Sequence, residues 1–370
     1  MADPSYDIIV VGAGIAGASA AWALADSARV LVVERESQPG FHATGRSAAY
    51  FAPAYGNAVV RQLTAASSDF YFSPPSGFAE VPLLHSRPAL FIGRHDQSGS
   101  MEALLAETPS LRRIEGAALA SHLPVINLDV IQQGLLDETG GDLDVDAILQ
   151  GFLRGSRSKG GELRTATDIR GIDRKAGLWQ VDCGDQVFKA PVLVNAAGAW
   201  ADQLAQGAGV GPVGLIPKKR TALLIDAPTG QDIDDWPLAI DVDEQFYFKP
   251  DAGQLLVSPA DETPSPPCDA RPDELDVAIA VDRLAAATSI QVRRINHRWA
   301  GLRTFATDKT FVVGFDPRAE GFFWLAGQGG YGVQSAPGIA QLASHLLLGT
   351  TPPASLASLI KLVAPDRLIF

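Results

Sequence analysis

Apolar and polar positions alternate with clear breaks from the first residues of the chain. An apolar run at residues 6–11 leads directly into Gly12-Ala13-Gly14-Ile15-Ala16-Gly17. Residues 15–24 are rich in Ala and Ser and predict a slim helix that can lie close on a sheet. Residues 29–34 predict a second parallel strand, which ends on Glu34. Gly, Ala and Ser dominate residues 38–55, which read as a loop with a short helix. Residues 59–72 predict a helix that stops before Ser73-Pro74-Pro75. A strand is expected at 90–93, and helices at 100–106 and 117–122. The acidic turn 137–146 supplies a cap for a helix over 145–157.

Further along, 162–168, 178–183 and 185–190 predict a small antiparallel set. Residues 191–195 form a buried strand leading to Ala196-Ala197-Gly198-Ala199-Trp200, with a helix to 207. Strand character recurs at 218–225, 245–249, 254–258, 298–301, 310–315 and 321–326. A helix is predicted over 273–288, and a long one after the turn 327–332. Possible ligand-holding loops thus recur at the start, near 195 and near 328, with β-rich segments between them. The expected organisation is α/β. A Rossmann-like domain comprises 1–80, 140–215 and 295–370, and a mainly antiparallel substrate domain comprises 81–139 and 216–294.

The glycine loop has a physical purpose. Gly12 permits the tight turn, Gly14 lets main-chain amides approach a pyrophosphate, and Gly17 lets the helix sit on the strand. The helix N-terminus faces the phosphate charge, and Glu34 can accept hydrogen bonds from ribose hydroxyls. A second candidate, Gly207-Ala208-Gly209-Val210-Gly211-Pro212, fails at its last position and follows a helix. One dinucleotide site is therefore expected, not two.

Composition narrows the classes. The 370 residues are 46% hydrophobic, enough for about two domains. With 30 basic and 42 acidic side chains, the formal charge of −12 argues against nucleic acid or an anionic membrane as main partner. The cysteines, Cys183 and Cys268, form no C-x-x-C pair, and the six histidines are scattered, so neither a disulfide framework nor a metal site is expected. No run approaches the ~18 apolar residues of a membrane span, and the start lacks a basic leader region. A cytoplasmic protein without an integral membrane segment is expected.

Four motifs carry a resemblance. They are the Gly12/Gly14/Gly17 loop with Glu34, Gly45-Arg46-Ser47-Ala48-Ala49, the strand and loop at 192–200, and Trp324-Leu325-Ala326-Gly327-Gln328-Gly329-Gly330-Tyr331-Gly332. Together they resemble the D-amino acid oxidase superfamily of FAD enzymes, in particular its bacterial D-arginine dehydrogenase branch. The resemblance implies an FAD-binding domain of the glutathione-reductase type and a non-covalent FAD. A covalent link is not expected, because neither cysteine lies in the C-terminal segment that carries it in sarcosine oxidases. The implied cofactor contacts are Gly12, Gly14, Ile15, Ala16, Gly17, Glu34, Arg35, Gly45, Arg46, Ser47, Ala48, Ala197, Gly198, Trp200, Gly329, Gly330, Tyr331, Gly332, Val333 and Gln334.

The resemblance also implies oxidation of a D-amino acid. Hydride leaves Cα for flavin N5, and the imine hydrolyses to a 2-oxo acid and ammonia. Arg303, then Arg220, is expected to hold the carboxylate, since a guanidinium fork suits two parallel hydrogen bonds. Tyr55, Tyr247, Tyr50, Ala89 and Gly330 complete the expected substrate site. No dedicated base is assigned, and His42, His85 and His297 are expected to be structural. Two positions depart from the branch. Tyr50 stands where it has a histidine, and Ala89 where it has the acid that reads a basic side chain. Neutral or apolar side chains are therefore expected to be favoured, with Glu80 a partial substitute for the acid. Glycine, sarcosine, an imino acid or a 2-hydroxy acid are alternative substrates, and a non-catalytic flavin-fold binding protein is an alternative of another class. The electron acceptor, whether oxygen, a quinone or another, is left open.

Overall fold

The computed structural model describes residues 6–369. β1 (Ile8–Val11), α1 (Ile15–Leu24) and β2 (Val30–Val33) form a parallel β-α-β unit, with Ile8 opposite Val30 and Val11 opposite Val33. Both strands are apolar and buried throughout, as expected of a parallel strand covered on both faces. Val192–Asn195 pairs in parallel with the other edge of β1, and Phe322–Ala326 pairs in parallel beyond it. Val312–Phe315 closes that edge antiparallel, and Glu162–Arg164 extends the opposite edge, giving six strands.

Alternation along β1 divides two cores. Ile8 and Val10 face a cluster that includes Leu24 of α1 and Ile339 of the C-terminal helix Ala336–Leu348. Ile9 and Val11 face Ile172, Trp179, Val181 and Phe188 of a three-stranded antiparallel sheet, Gly171–Lys175, Leu178–Asp182 and Val187–Ala190. The expected small antiparallel set therefore exists with different membership. Residues 162–164 join the parallel sheet, and 171–175 take their place. Asp144 caps the helix Val145–Ser158 by accepting from the Ala147 amide at 2.8 Å.

The second large element is an eight-stranded sheet. Its order is Ile295–Phe305, Ile216–Asp226, Gln254–Ser258, Tyr247–Asp251, Leu238–Asp241, Ala89–Gly93, Gln133–Asp137 and Arg112–Glu115. One face packs on Glu274–Ala287 and Gly116–His122 through Leu223, Phe248, Leu284 and Leu119. The other face, with Ala89, Ala222, Ile240 and Tyr247, meets Ala48, Tyr50 and Ala54 of the loop that follows the β-α-β unit. Because Ile295–Phe305 is an edge strand of this sheet, the segment expected to rejoin the nucleotide-binding part at 295 stays with the large sheet to Phe305. Residues 38–55 contain no helix. They form turns and the two-residue strand Tyr50–Phe51, paired with Gly141–Leu143.

Candidate active site

A cavity of about 480 Å³ lies where the strands of the parallel sheet end and the eight-stranded sheet faces them. Its volume falls in the range of ligand pockets. The glycine loop forms its floor. Gly12 has φ +103°, and a Cβ there would lie 2.5 Å from the Ala196 carbonyl oxygen. A Cβ on Gly17 would lie 1.9 Å from the Gly12 oxygen, so α1 reaches this position only because residue 17 lacks one. Glu34 braces the loop: Oε2 accepts from the Ala13 amide at 2.7 Å and Oε1 from the Glu36 amide at 2.9 Å. Thr44, which carries no sequence motif, accepts from the Ile15 amide at 3.0 Å and so caps the first turn of α1.

At one end, the Arg35 guanidinium lies 4.7 Å from the centre of the Trp200 ring, and the His42 ring 4.5 Å from it. His42 Nε2 is 2.9 Å from Glu36. Thr167 and Asp168 complete this wall. The other end is lined by Arg220, Ala222, Tyr247, Leu302 and Arg303 of the large sheet, and by the loop at 327–333. Cys268 also stands on the wall, outside the C-terminal segment considered for a flavin link.

Strand register brings the two arginines together. Arg303 lies opposite Lys218, and Arg220 opposite Gly301, so all four share one face of the sheet. Val257 lies opposite both Leu223 and Phe248, which puts Tyr247 on the reverse face, with Arg220. The two guanidinium groups differ in their partners. Arg220 is 6% exposed, donates to the Asp261 carbonyl at 2.9 Å and pairs with Glu262 at 3.4 Å. Burial disfavours charge on Glu262, but Lys218, Lys309 and Arg220 overcome it and hold the carboxyl below its usual range. Arg303 has neither a hydrogen bond nor an ion pair among the described residues, and it lines the cavity. Its guanidinium lies against Gly330, where a Cβ would approach to 2.8 Å. Burial works against its charge, but Tyr247, Tyr55, Tyr331 and Glu244 outweigh this and hold it above the ordinary arginine value.

Most expected cofactor positions line the cavity: Gly12, Gly14, Ile15, Ala16, Glu34, Arg35, Arg46, Ser47, Ala48, Ala197, Gly198, Trp200, Gly329, Gly330, Gly332 and Val333. Others serve it indirectly. Gly45 turns the loop, its amide donating to the Gly40 carbonyl at 2.7 Å. Tyr331 is buried against Tyr55, Phe305 and Phe311. Gln334 ties Ala52 to Thr64.

Among expected substrate positions, Tyr50 donates to the Arg87 carbonyl at 2.6 Å, and Ala89 is 1% exposed. Neither is on the cavity wall, because the large sheet and the loop at 48–54 pack directly on each other there. Tyr55, also off the wall, donates to Glu244 at 2.8 Å. Glu244 is an acid near this end of the site that no motif marks. Loss of solvent first, then Glu244 and Tyr331, pushes the Tyr55 phenol well above its ordinary value against the pull of Arg303 and Arg220. Burial, then Glu244, pushes Tyr331 up to about 12. Both phenols are therefore neutral in the working pH range. No cluster of possible metal ligands occurs among the described residues, and no helix there is long and apolar enough to cross a membrane.

A cavity that joins a glycine-loop β-α-β unit to an arginine-bearing sheet defines a dinucleotide-binding protein with room for a small anion beside the dinucleotide. The model of the DAO family, FAD dependent oxidoreductases, matches residues 7–346, and the chain belongs to that family. It is 26% identical to FAD-dependent oxidoreductase domain-containing protein 1 of Bos taurus, over 92% of this chain and 81% of that one. It is 24% identical to glycine oxidase of Bacillus licheniformis, over 93% of each. Among solved structures, L-proline dehydrogenase from P. horikoshii superposes with a TM-score of 0.85 at 19% identity, covering 99% of this chain and 98% of that one. Glycine oxidase from Geobacillus kaustophilus gives 0.84 at 18%, covering 98% and 99%. FAD is the cofactor of the family, and the residues here suit it. The Gly12 cradle leaves main chain exposed, Gly198 has open space where a Cβ would be, and ring and guanidinium faces gather around Trp200.

Proposed function

We propose that the chain oxidises a small amino carboxylate at its α-carbon, with D-amino acids of uncharged side chain as the preferred substrates. The observation that carries this reading is Arg303. A half-buried guanidinium on a cavity wall, with no counter-charge bonded to it among the described residues, suits a carboxylate ligand. Arg220 already has Glu262, so it supports the site and Arg303 makes the principal contact. When bound, FAD supplies the two-electron acceptor.

The chain's own residues orient the substrate. Arg303 fixes the carboxylate through parallel hydrogen bonds, and Gly330 lets the guanidinium lie flat on the main chain. Tyr247 gives an apolar wall, and Tyr55 and Tyr331 pack on each other near this end of the site. The wall at this end carries no Asp, Glu, His or Lys among the described residues, so no base is assigned, and an amine bound neutral needs none. The same lack of a lining carboxylate supports uncharged side chains over arginine. Released imine hydrolyses to the 2-oxo acid and ammonia. The D configuration follows the resemblance of Tyr55, Tyr247, Arg220, Arg303 and Gly330 to the dehydrogenase branch. We also propose that FAD is held without a covalent bond.

Anaerobic bleaching of the flavin tests the substrate. D-leucine, D-methionine and D-phenylalanine are expected to bleach it, each with a higher kcat/KM than D-arginine. D-arginine preferred by about tenfold or more, or bleaching only by glycine, sarcosine or L-amino acids, overturns the reading. Acid precipitation is expected to leave the yellow chromophore in the supernatant. Flavin retained by the precipitate, and lost from it in Cys268→Ser, overturns the non-covalent assignment.

A further inference from the structure

Arg46 lies in the loop that follows the β-α-β unit, but its polar contacts are on the other side of the cavity. Nη1 donates to the carbonyls of Ala270 at 3.1 Å and Ala300 at 3.0 Å, and Nη2 pairs with Asp269. The side chain is 15% exposed and lies on Gly301, where a Cβ would come 3.3 Å from the Arg46 Cβ. The Arg46 carbonyl accepts from Trp299 Nε1 at 3.2 Å. Three of its four hydrogen bonds to other residues therefore involve a strand or strap carbonyl or the Trp299 indole, and the fourth is the ion pair with Asp269.

Residues 259–273 connect the strand Gln254–Ser258 of the large sheet to the helix Glu274–Ala287 without a helix or strand of ordinary length between them. Their first part is sewn to the sheet. Asp261 takes the amide and hydroxyl of Thr221, and the Thr263 carbonyl accepts from the Lys219 amide at 2.9 Å. The later part leaves the sheet and, at the edge of the cavity, crosses from the large sheet to the turn Gly198–Trp200. Cys268 lines the wall, and Ala270 is buried with Ala300, Leu302 and Ala199. Ala199 belongs to the turn Gly198–Trp200, next to the parallel sheet. The crossing segment thus touches both walls, and Arg46 bonds it at the point of crossing.

We propose that residues 266–272 form a strap that retains FAD, and that Arg46 is the latch that positions it. A dinucleotide enclosed between two walls needs an opening to enter by. This segment is suited to be that opening, because beyond the Ser265 hydroxyl at its start its docking rests on one alanine niche and one guanidinium. The geometry favours this role over a phosphate contact, since three of the five N–H donors of Arg46 go to the strap and to Ala300. Arg46 is a positioning residue on this reading, and its loss speeds cofactor release without removing a group that touches substrate.

The experiment measures release of FAD from the loaded protein by the rise in free-flavin fluorescence after dilution. Wild type, Arg46→Ala, Ala270→Leu and the double variant are compared. Ala270→Leu overfills the niche and lifts the strap without touching Arg46's charge. Each single variant is expected to release FAD about tenfold faster or more, as loss of charge-assisted hydrogen bonds or of docking implies. The double variant is expected to match the faster single one to within about twofold, because both remove one docking event. Asp269→Ala, at an exposed carboxylate, is expected to give only about a two- to threefold increase.

Multiplicative effects of Arg46→Ala and Ala270→Leu overturn the proposal, since Arg46 then holds FAD directly. So does unchanged release from Ala270→Leu. If Arg46→Ala does not fold, Arg46→Lys is read in its place. It keeps the charge and loses the fork, and faster release that Ala270→Leu does not increase further supports the latch. Release at the wild-type rate from Arg46→Lys overturns it.

Discussion

The two walls of the cavity are built on different chemistry. The parallel-sheet wall offers main chain: Gly12, Gly14 and Ala16 around the end of β1, with Glu34 and Thr44 bonding the loop's amides. The eight-stranded wall offers side chains, Arg220, Arg303 and Tyr247, each standing on a strand whose backbone is committed to its neighbours. A main-chain site depends on the absence of Cβ atoms, and glycines at fixed spacing record it. A side-chain site depends on register and on which charges are already paired. The contrast between Arg303 and Arg220 is of that second kind, because their neighbours, not their residue type, distinguish them.

The largest effect should come from filling the main-chain wall. Gly17→Val puts a branched side chain where even a Cβ would lie 1.9 Å from the Gly12 oxygen. The purified protein is expected to be colourless, with no flavin absorbance on reconstitution. Normal FAD binding by this variant would break the comparison, since the wall would then not rely on glycine.

Next in size is the side-chain wall. Arg303→Ala is expected to lower kcat/KM by about 2–5 kcal/mol in transition-state terms, with the flavin spectrum retained. Arg220→Ala should cost about 1–3 kcal/mol, because Glu262 keeps Lys218 and Lys309 as partners. Steady-state kinetics on both variants sharpen the contrast between free and paired guanidinium, and a reversed order would refute it.

A side chain that supports the parallel sheet should act on stability alone. Asp316 accepts from Trp324 Nε1 at 2.9 Å and pairs with Arg318 at 2.7 Å. Burial raises its carboxyl pKa, but Arg318 and Trp324 prevail and leave it below the usual value. Its contribution is therefore present above the unfolded value of about 3.9 and is lost as pH falls through the lower folded value. Asp316→Asn is expected to cost about 1–3 kcal/mol by urea unfolding at neutral pH, with kcat/KM for the folded enzyme unchanged.

The smallest expected effect is on the pH profile. With Tyr55 well above its ordinary value and Tyr331 at about 12, neither phenol loses its proton below about pH 10. A basic limb in kcat/KM then belongs to the substrate amine, and Tyr55→Phe should leave its midpoint in place. A midpoint shift in that variant would make the phenol part of the titration.

By itself, the sequence determined the elements whose signals are local. The helix predicted at 15–24 is Ile15–Leu24, the glycine loop opens it, and Asp144 caps the helix that follows it. Apolar period, missing Cβ atoms and short polar caps act within a few residues, so they can be read in order along the chain. Tertiary structure decided what depends on partners distant in sequence. It put Glu162–Arg164 beside β2, because an apolar-alternating strand does not specify which edge it joins. It supplied Gln133–Asp137 and Leu238–Asp241, short strands that pair beside Ala89–Gly93. It took Tyr50 and Ala89 off the cavity wall and brought Thr44, His42, Cys268 and Leu302 onto it. It also set three arginines to three tasks. Arg303 has no bonded partner among the described residues, Arg220 meets Glu262, and Arg46 meets Asp269, 223 residues away. The physical reason is common to all three: a guanidinium's role is fixed by the acceptors folding leaves within reach, and those come from other strands.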